Sequence, residues 1–127
     1  MKRVTPNVVS APGTPAGENN FSGTVHLHRL LPAGDPATVQ ASLVSFSDGA
    51  RTHWHSHAGG QLLHVVEGRG RVQSRGEPAV DLEPGDIVVA EPGEEHWHGA
   101  AQGASMRHLA VSMGAARWLE PVDPGQV

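Results

Sequence analysis

The chain has no cysteine and no tyrosine. The first absence removes disulfides, zinc–thiolate clusters, iron–sulfur ligation and thiol nucleophiles, so a metal can be held only by imidazole, carboxylate or amide groups. The second removes a phenolic base and leaves histidine as the leading candidate for proton transfer. Charge is sparse at 17%, with 13 acidic against 9 basic residues, a formal net charge of −4 and no basic run. That is not the electrostatic footprint of a nucleic-acid binder. No apolar run approaches the ~20 residues of a spanning helix. None of signal-peptide length follows Met1-Lys2-Arg3-Val4-Thr5-Pro6, so a cytoplasmic protein with no membrane partner is expected. Helical periodicity is also scarce: only Ala115 to Glu120 has room for a turn or two.

What is present is turn punctuation. Sixteen glycines and 10 prolines separate short apolar runs, the mark of strands joined by turns. The runs fall at 24–31, 39–46, 52–57, 62–67, 70–74, 79–82, 86–90, 96–99 and 106–112. They predict an all-β sandwich or barrel with little helix. With 127 residues and 38% hydrophobic content, one domain is expected. Its boundaries are drawn at residues 21–120, with an irregular arm over 1–20 and a tail over 121–127.

The 9 histidines are not scattered evenly. In a strand His55 and His57 project to one face, and Gln61 can return from the next strand behind a glycine turn. That arrangement suits a metal. A second cluster, Glu94-Glu95-His96-Trp97-His98-Gly99, offers another imidazole. His53 and His98 share strand faces with His55 and His96, which makes them either further donors or exposed strand-end residues. His64, among Leu62, Leu63, Val65 and Val66, reads as a packed core or interface side chain. His26 and His28 face solvent or a dimer partner in this reading. Along 106–112, His108, Ala110 and Ser112 share one face; if that face lines the barrel, His108 is a candidate general base beside substrate. Ser42, Val44 and Phe46 alternate on an earlier strand and either shape the pocket or pack as ordinary core. Trp54 and Trp97 lie opposite the histidine faces, and Trp118 reads as packing at a barrel end.

The spacing Gly49-x5-His55-x-His57-x3-Gln61-x6-Gly68, followed by Leu82-x-Pro84-Gly85-Asp86 and by Pro92-Gly93-x2-His96, resembles the two motifs of the cupins. The resemblance implies a jelly-roll barrel of two antiparallel sheets, often dimeric, with one divalent metal held by His55, His57, Gln61 and His96. Two positions depart from the pattern: Gln61 stands where a glutamate is usual, and Ala100 where an asparagine often closes the second motif. An amide in place of a carboxylate removes a negative charge and leaves a more Lewis-acidic ion.

A narrower resemblance follows from Gly49-Ala50-Arg51-Thr52, Trp54-His55-Ser56-His57, Gly60-Gln61, Gly93 to Ala100, Met106 and His108-Leu109-Ala110. These are similar to a subgroup of small bacterial cupins that includes manganese-dependent hydroxynitrile lyases. By that resemblance the metal is manganese, with iron, nickel, zinc or cobalt as alternatives, and His108 is the base. Ser42, Val44, Phe46, Ala110, Ser112 and His98 form the candidate substrate pocket. The function implied is a lyase acting on a small molecule. A quercetinase-like dioxygenase and a non-catalytic metal or ligand-binding barrel are the alternatives. A homodimer or homotetramer is expected.

Overall fold

The computed structural model describes residues 13–31 and 39–127; most of the expected 1–20 arm lies outside them. The strands are β1 (Thr14–Pro15), β2 (Phe21–Ser22), β3 (Val25–Leu31), β4 (Val39–Phe46), β5 (Arg51–Thr52), β6 (His55–His57) and β7 (Gln61–Gly68). They continue with β8 (Gly70–Ser74), β9 (Val80–Leu82), β10 (Ile87–Ala90), β11 (His96–Ala100), β12 (Met106–Met113) and β13 (Ala116–Trp118). A 3₁₀ turn over Pro124–Gln126 is the only helical element among the described residues. All strand pairings are antiparallel and fall into two sheets. Six strands, including the three longest, form the wall that is larger in residues, in the order β1-β3-β4-β12-β7-β10. The other runs β13-β6-β11-β5-β2, with β8 on the far side of β11 and β9 beyond it.

Between the sheets, alternation decides what faces inward. On β12, Met106, His108, Ala110 and Ser112 are buried while Arg107, Leu109, Val111 and Met113 are half-buried on the outer face. One end of the interior is apolar, closed by Val25, Phe46, Leu63, Val65, Val72, Leu82, Ala100 and Met106. The other end holds polar side chains. The strand register forms inward-facing rows across the wall: Leu27–Val44–His108–Val65, then Arg29–Ser42–Ala110–Leu63, then Gln40–Ser112–Gln61.

Three expectations change. The single strand over 52–57 is broken: β11 pairs Gly99 with Arg51 and His96 with His55, so four steps on one side oppose three on the other. The extra residue interrupts alternation as a bulge does. The backbone released there bonds elsewhere, His53 N donating to Asn20 O and Trp54 N to Glu120 O. The short helix allowed over Ala115 to Glu120 is instead β13, which pairs Trp118 with His55 and Ala116 with His57. A six-residue helix cannot repay its own nucleation, whereas the open edge of β6 offers a ready ladder. The tail also packs: Val122 is buried with Trp54 and Trp97, alongside Ala79, Leu119 and Val127.

Candidate metal centre

Five buried imidazoles gather at the polar end of the barrel. His55 and His57 come from β6, His96 and His98 from β11, and His108 from β12. Gly60, at φ 91°, turns β6 into β7, and a Cβ there would lie 2.7 Å from the Ala90 carbonyl oxygen. Only glycine fits, and the turn delivers Gln61 to the cluster. Ring centroids of His55 and His96 are 4.3 Å apart, those of His55 and His57 5.2 Å, and those of His57 and His96 6.2 Å. The potential ligand atoms of His55, His96 and His98 all lie within 4.8 Å of one another.

The hydrogen bonds around these rings fit a cation. His55 Nδ1 meets the His53 carbonyl at 3.0 Å, and His96 Nδ1 meets the Glu94 carbonyl at 2.9 Å. Each Nδ1 therefore carries the ring proton and each Nε2 presents a lone pair, the backbone-anchored tautomer typical of ligating histidines. Gln61 Nε2 donates to Ser112 Oγ at 2.9 Å, which turns its Oε1 toward His96 Nε2, 2.9 Å away. Two lone-pair-bearing atoms thus point at each other. A positive ion beside them relieves that repulsion, so the residues present fit a metal.

Burial supports the same conclusion. It pushes the His55 imidazolium down to about 3, helped by the neighbouring His96 and His57. His57 falls to about 4 through burial and then His96, and His108 to about 4 through burial. Burial lowers His96 as well, and His98 falls well below the ordinary range from burial followed by the crowding of the other imidazoles. Neutral imidazole is the form that binds metals and accepts protons. Both ring nitrogens of His57, Nε2 of His98 and Nδ1 of His108 are buried without hydrogen-bond partners. Such atoms are costly to leave unmet in the interior.

A cavity of about 230 Å³ opens onto this cluster. Ser42, Val44, Ala110, Ser112 and His98 line it, as do His55, His57 and Gln61. Phe46 does not: it is buried in the apolar floor, its ring 5.2 Å from that of His108 and 5.9 Å from that of His98. His108 is 0% exposed and does not line the cavity either; its Nε2 sits 2.9 Å from His98 Nδ1, so it reaches the cavity through His98. His53 is buried away from the cluster, where the bulge puts its carbonyl, not its ring, in contact with His55. His64 is half-buried on the outer face of the larger wall.

Trp118, read from the sequence as end packing, lines the cavity. It stacks on His55 at 4.6 Å and 26°, and Phe21 lies 5.6 Å from it. Nothing local announces this, because it follows from the pairing of β13 with β6. Trp54 and Trp97 lie opposite the histidines but are covered by the chain's own tail, so they form no exposed patch. Arg29, the one permanently charged side chain among the described residues that line the cavity, was also not singled out by the sequence pattern.

The chain is 44% identical over 110 residues, 84% of each protein, to the (R)-mandelonitrile lyase of Granulicella tundricola. The crystal structure of a cupin-like protein from Thermotoga maritima superposes with a TM-score of 0.88 at 38% identity, over 93% of this chain and 92% of that one. A polyketide cyclase from Streptomyces resistomycificus shares the fold, with a TM-score of 0.72 at 21% identity over 97% of this chain and 86% of the cyclase. The family described as Cupin domain matches residues 42–112, the span that holds the proposed metal ligands, His98 and His108. The chain belongs to the cupin family.

Proposed function

We propose that this protein is a metal-dependent carbon–carbon lyase of the hydroxynitrile-lyase type, cleaving a cyanohydrin to an aldehyde and hydrogen cyanide. The observation that carries the reading is the facing pair of acceptors, His96 Nε2 and Gln61 Oε1 at 2.9 Å, among neutral imidazoles beside a cavity. The relative acting on mandelonitrile supports the reaction class. In this reading His55, His57, Gln61 and His96 hold one divalent ion, for which manganese is the proposed identity. When bound, the ion supplies Lewis acidity toward an oxygen that develops negative charge.

The chain's own groups account for the proton. His98 has Nε2 free and Nδ1 against His108 Nε2. The substrate hydroxyl gives its proton to His98 Nε2, and the proton on His98 Nδ1 passes to His108 Nε2. The carbon–carbon bond then breaks with its electron pair leaving on cyanide, and the same relay returns a proton to the cyanide. Ala110 and Ser42 are small and leave room beside His98 for the substrate. Phe21 and Trp118 present ring faces suited to an aryl group.

Metal-loaded protein is expected to release benzaldehyde from mandelonitrile, followed by ultraviolet absorbance, and to consume no oxygen in an electrode cell. Oxygen uptake coupled to turnover of a flavonol would instead favour the dioxygenase alternative. No turnover of either, with metal bound, would leave a binding barrel.

We also propose a homo-oligomer. Val66, Ile87 and Val89 are exposed on the outer face of the larger wall, next to the half-buried Leu62, Leu109 and Val111. Contiguous apolar surface of this kind is typical of a subunit interface.

A further inference from the structure

The cavity that contains the imidazoles has an unequal charge distribution. Among the described residues its lining includes no aspartate and no glutamate, and the histidines on it are held neutral by burial. Arg29 is its only permanent charge among those residues, in a chain whose overall formal charge is −4. Among the described residues Arg71, Arg75 and Arg107 each face a carboxylate, at 3.0 Å from Asp81, 2.8 Å from Glu120 and 3.8 Å from Glu67 respectively. Arg29 has no ion pair among them. Its place in the sheet is specific. It sits opposite Ser42 on β4, in the row directly outside the one that contains His108, and the register of β3 shifts immediately after it. A shift of that kind re-aims a side chain. Across the sheet β3 lies three strands from β7, which carries Gln61, roughly 14 Å of backbone separation. A group bound at Arg29 therefore sits away from the proposed metal ligands, with Phe21 and Trp118 forming the apolar wall of the same cavity.

Resting on the proposed lyase reading and extending it to substrate class, we propose that Arg29 is a specificity residue that binds an anionic substituent of the substrate. The substrate is then an aryl carbonyl or cyanohydrin carrying a carboxylate at the end remote from the reacting carbon. A guanidinium meets a carboxylate through two parallel N–H donors, which orients the ring as well as attracting it. Gln40 and Ser42 flank it as neutral donors.

The test compares 4-carboxybenzaldehyde with benzaldehyde on the manganese-loaded protein, by calorimetry without cyanide. Wild type is expected to bind the carboxylate compound roughly fivefold more tightly, the size of an exposed charge pair. Arg29→Gln is expected to abolish the preference and leave benzaldehyde binding and melting temperature unchanged. Arg29→Lys is expected to keep part of it, and added salt to weaken it in wild type. Equal affinities in wild type would overturn the proposal. So would a preference that survives Arg29→Gln, which would show the carboxylate binding at the metal instead. Because binding is read without cyanide, absent turnover would count against the lyase reading while the Arg29-dependent preference still stood.

Discussion

His57 and His98 compete for a place in the donor set. Motif resemblance selects His57, while His98 is the one whose ligand atom lies within 4.8 Å of those of both His55 and His96. Both present an unpartnered Nε2, and they differ at Nδ1. His98 Nδ1 is already engaged with His108, whereas neither nitrogen of His57 has a partner. If His57 is the ligand, His57→Ala loses most of its manganese by elemental analysis, and His98→Ala keeps about one ion per chain while losing at least 100-fold in kcat, the lower range for a proton-transfer group. The reverse metal pattern would move His98 into the ligand set. The pairing of His55 with His57, the return of Gln61 and the candidacy of His108 were legible in the sequence because each depends on strand alternation or motif spacing. The routing of His108 through His98 was not legible, since it depends on how β11 and β12 face each other across the barrel.

Among the elements, β6 and β11, which carry four of the clustered histidines, are held from outside by an apolar layer. Trp97 on β11 is 0% exposed, donates its indole N–H to Gln73 Oε1 at 2.8 Å, and packs with Trp54 and Val122. Trp54 in turn carries the Arg75 guanidinium 4.2 Å from its ring centroid. Trp97→Ala empties that layer and is expected to cost ~3–5 kcal/mol in denaturant unfolding, with manganese stoichiometry of the folded fraction unchanged. Loss of metal at unchanged stability would show that the ring contributes to the site directly. Strand positions were readable from the turn residues, and most boundaries agree to within a residue or two. The bulge at residues 53–54 and β13 were not, because both are decided by which distant backbone groups are available to bond.

For the molecule as a whole, a cluster of neutral buried imidazoles makes the metal-free chain acid-sensitive. In the unfolded chain these histidines titrate near 6.5, whereas in the fold His55 is held at about 3 and His57 and His108 at about 4. Below pH ~6.5 the unfolded state binds more protons, so stability falls as pH drops from about 6.5 toward 4. Melting curves of chelator-treated protein are expected to show Tm decreasing steadily across that window and level above pH 7. A flat profile would mean that the imidazoles are already protonated in the fold. Light scattering tests the outer sheet face: Ile87→Glu, at a site 63% exposed in the single chain, is expected to convert an oligomer to monomer. An already monomeric wild type would remove that proposal. Among the described residues no helix is long and apolar enough to cross a membrane.

Composition, turn chemistry and the spacing of His55, His57, Gln61 and His96 are local properties, so the order of residues alone fixes an all-β barrel and a set of donors without thiolate. Which side chains share a cavity is a property of register between strands far apart in the chain. That register places Trp118 on His55, sets Arg29 beside Ser42 in one row with Ala110, and sinks His108 behind His98. The alternation of a single strand tells which residues share a face; only the pairing of strands tells what that face meets.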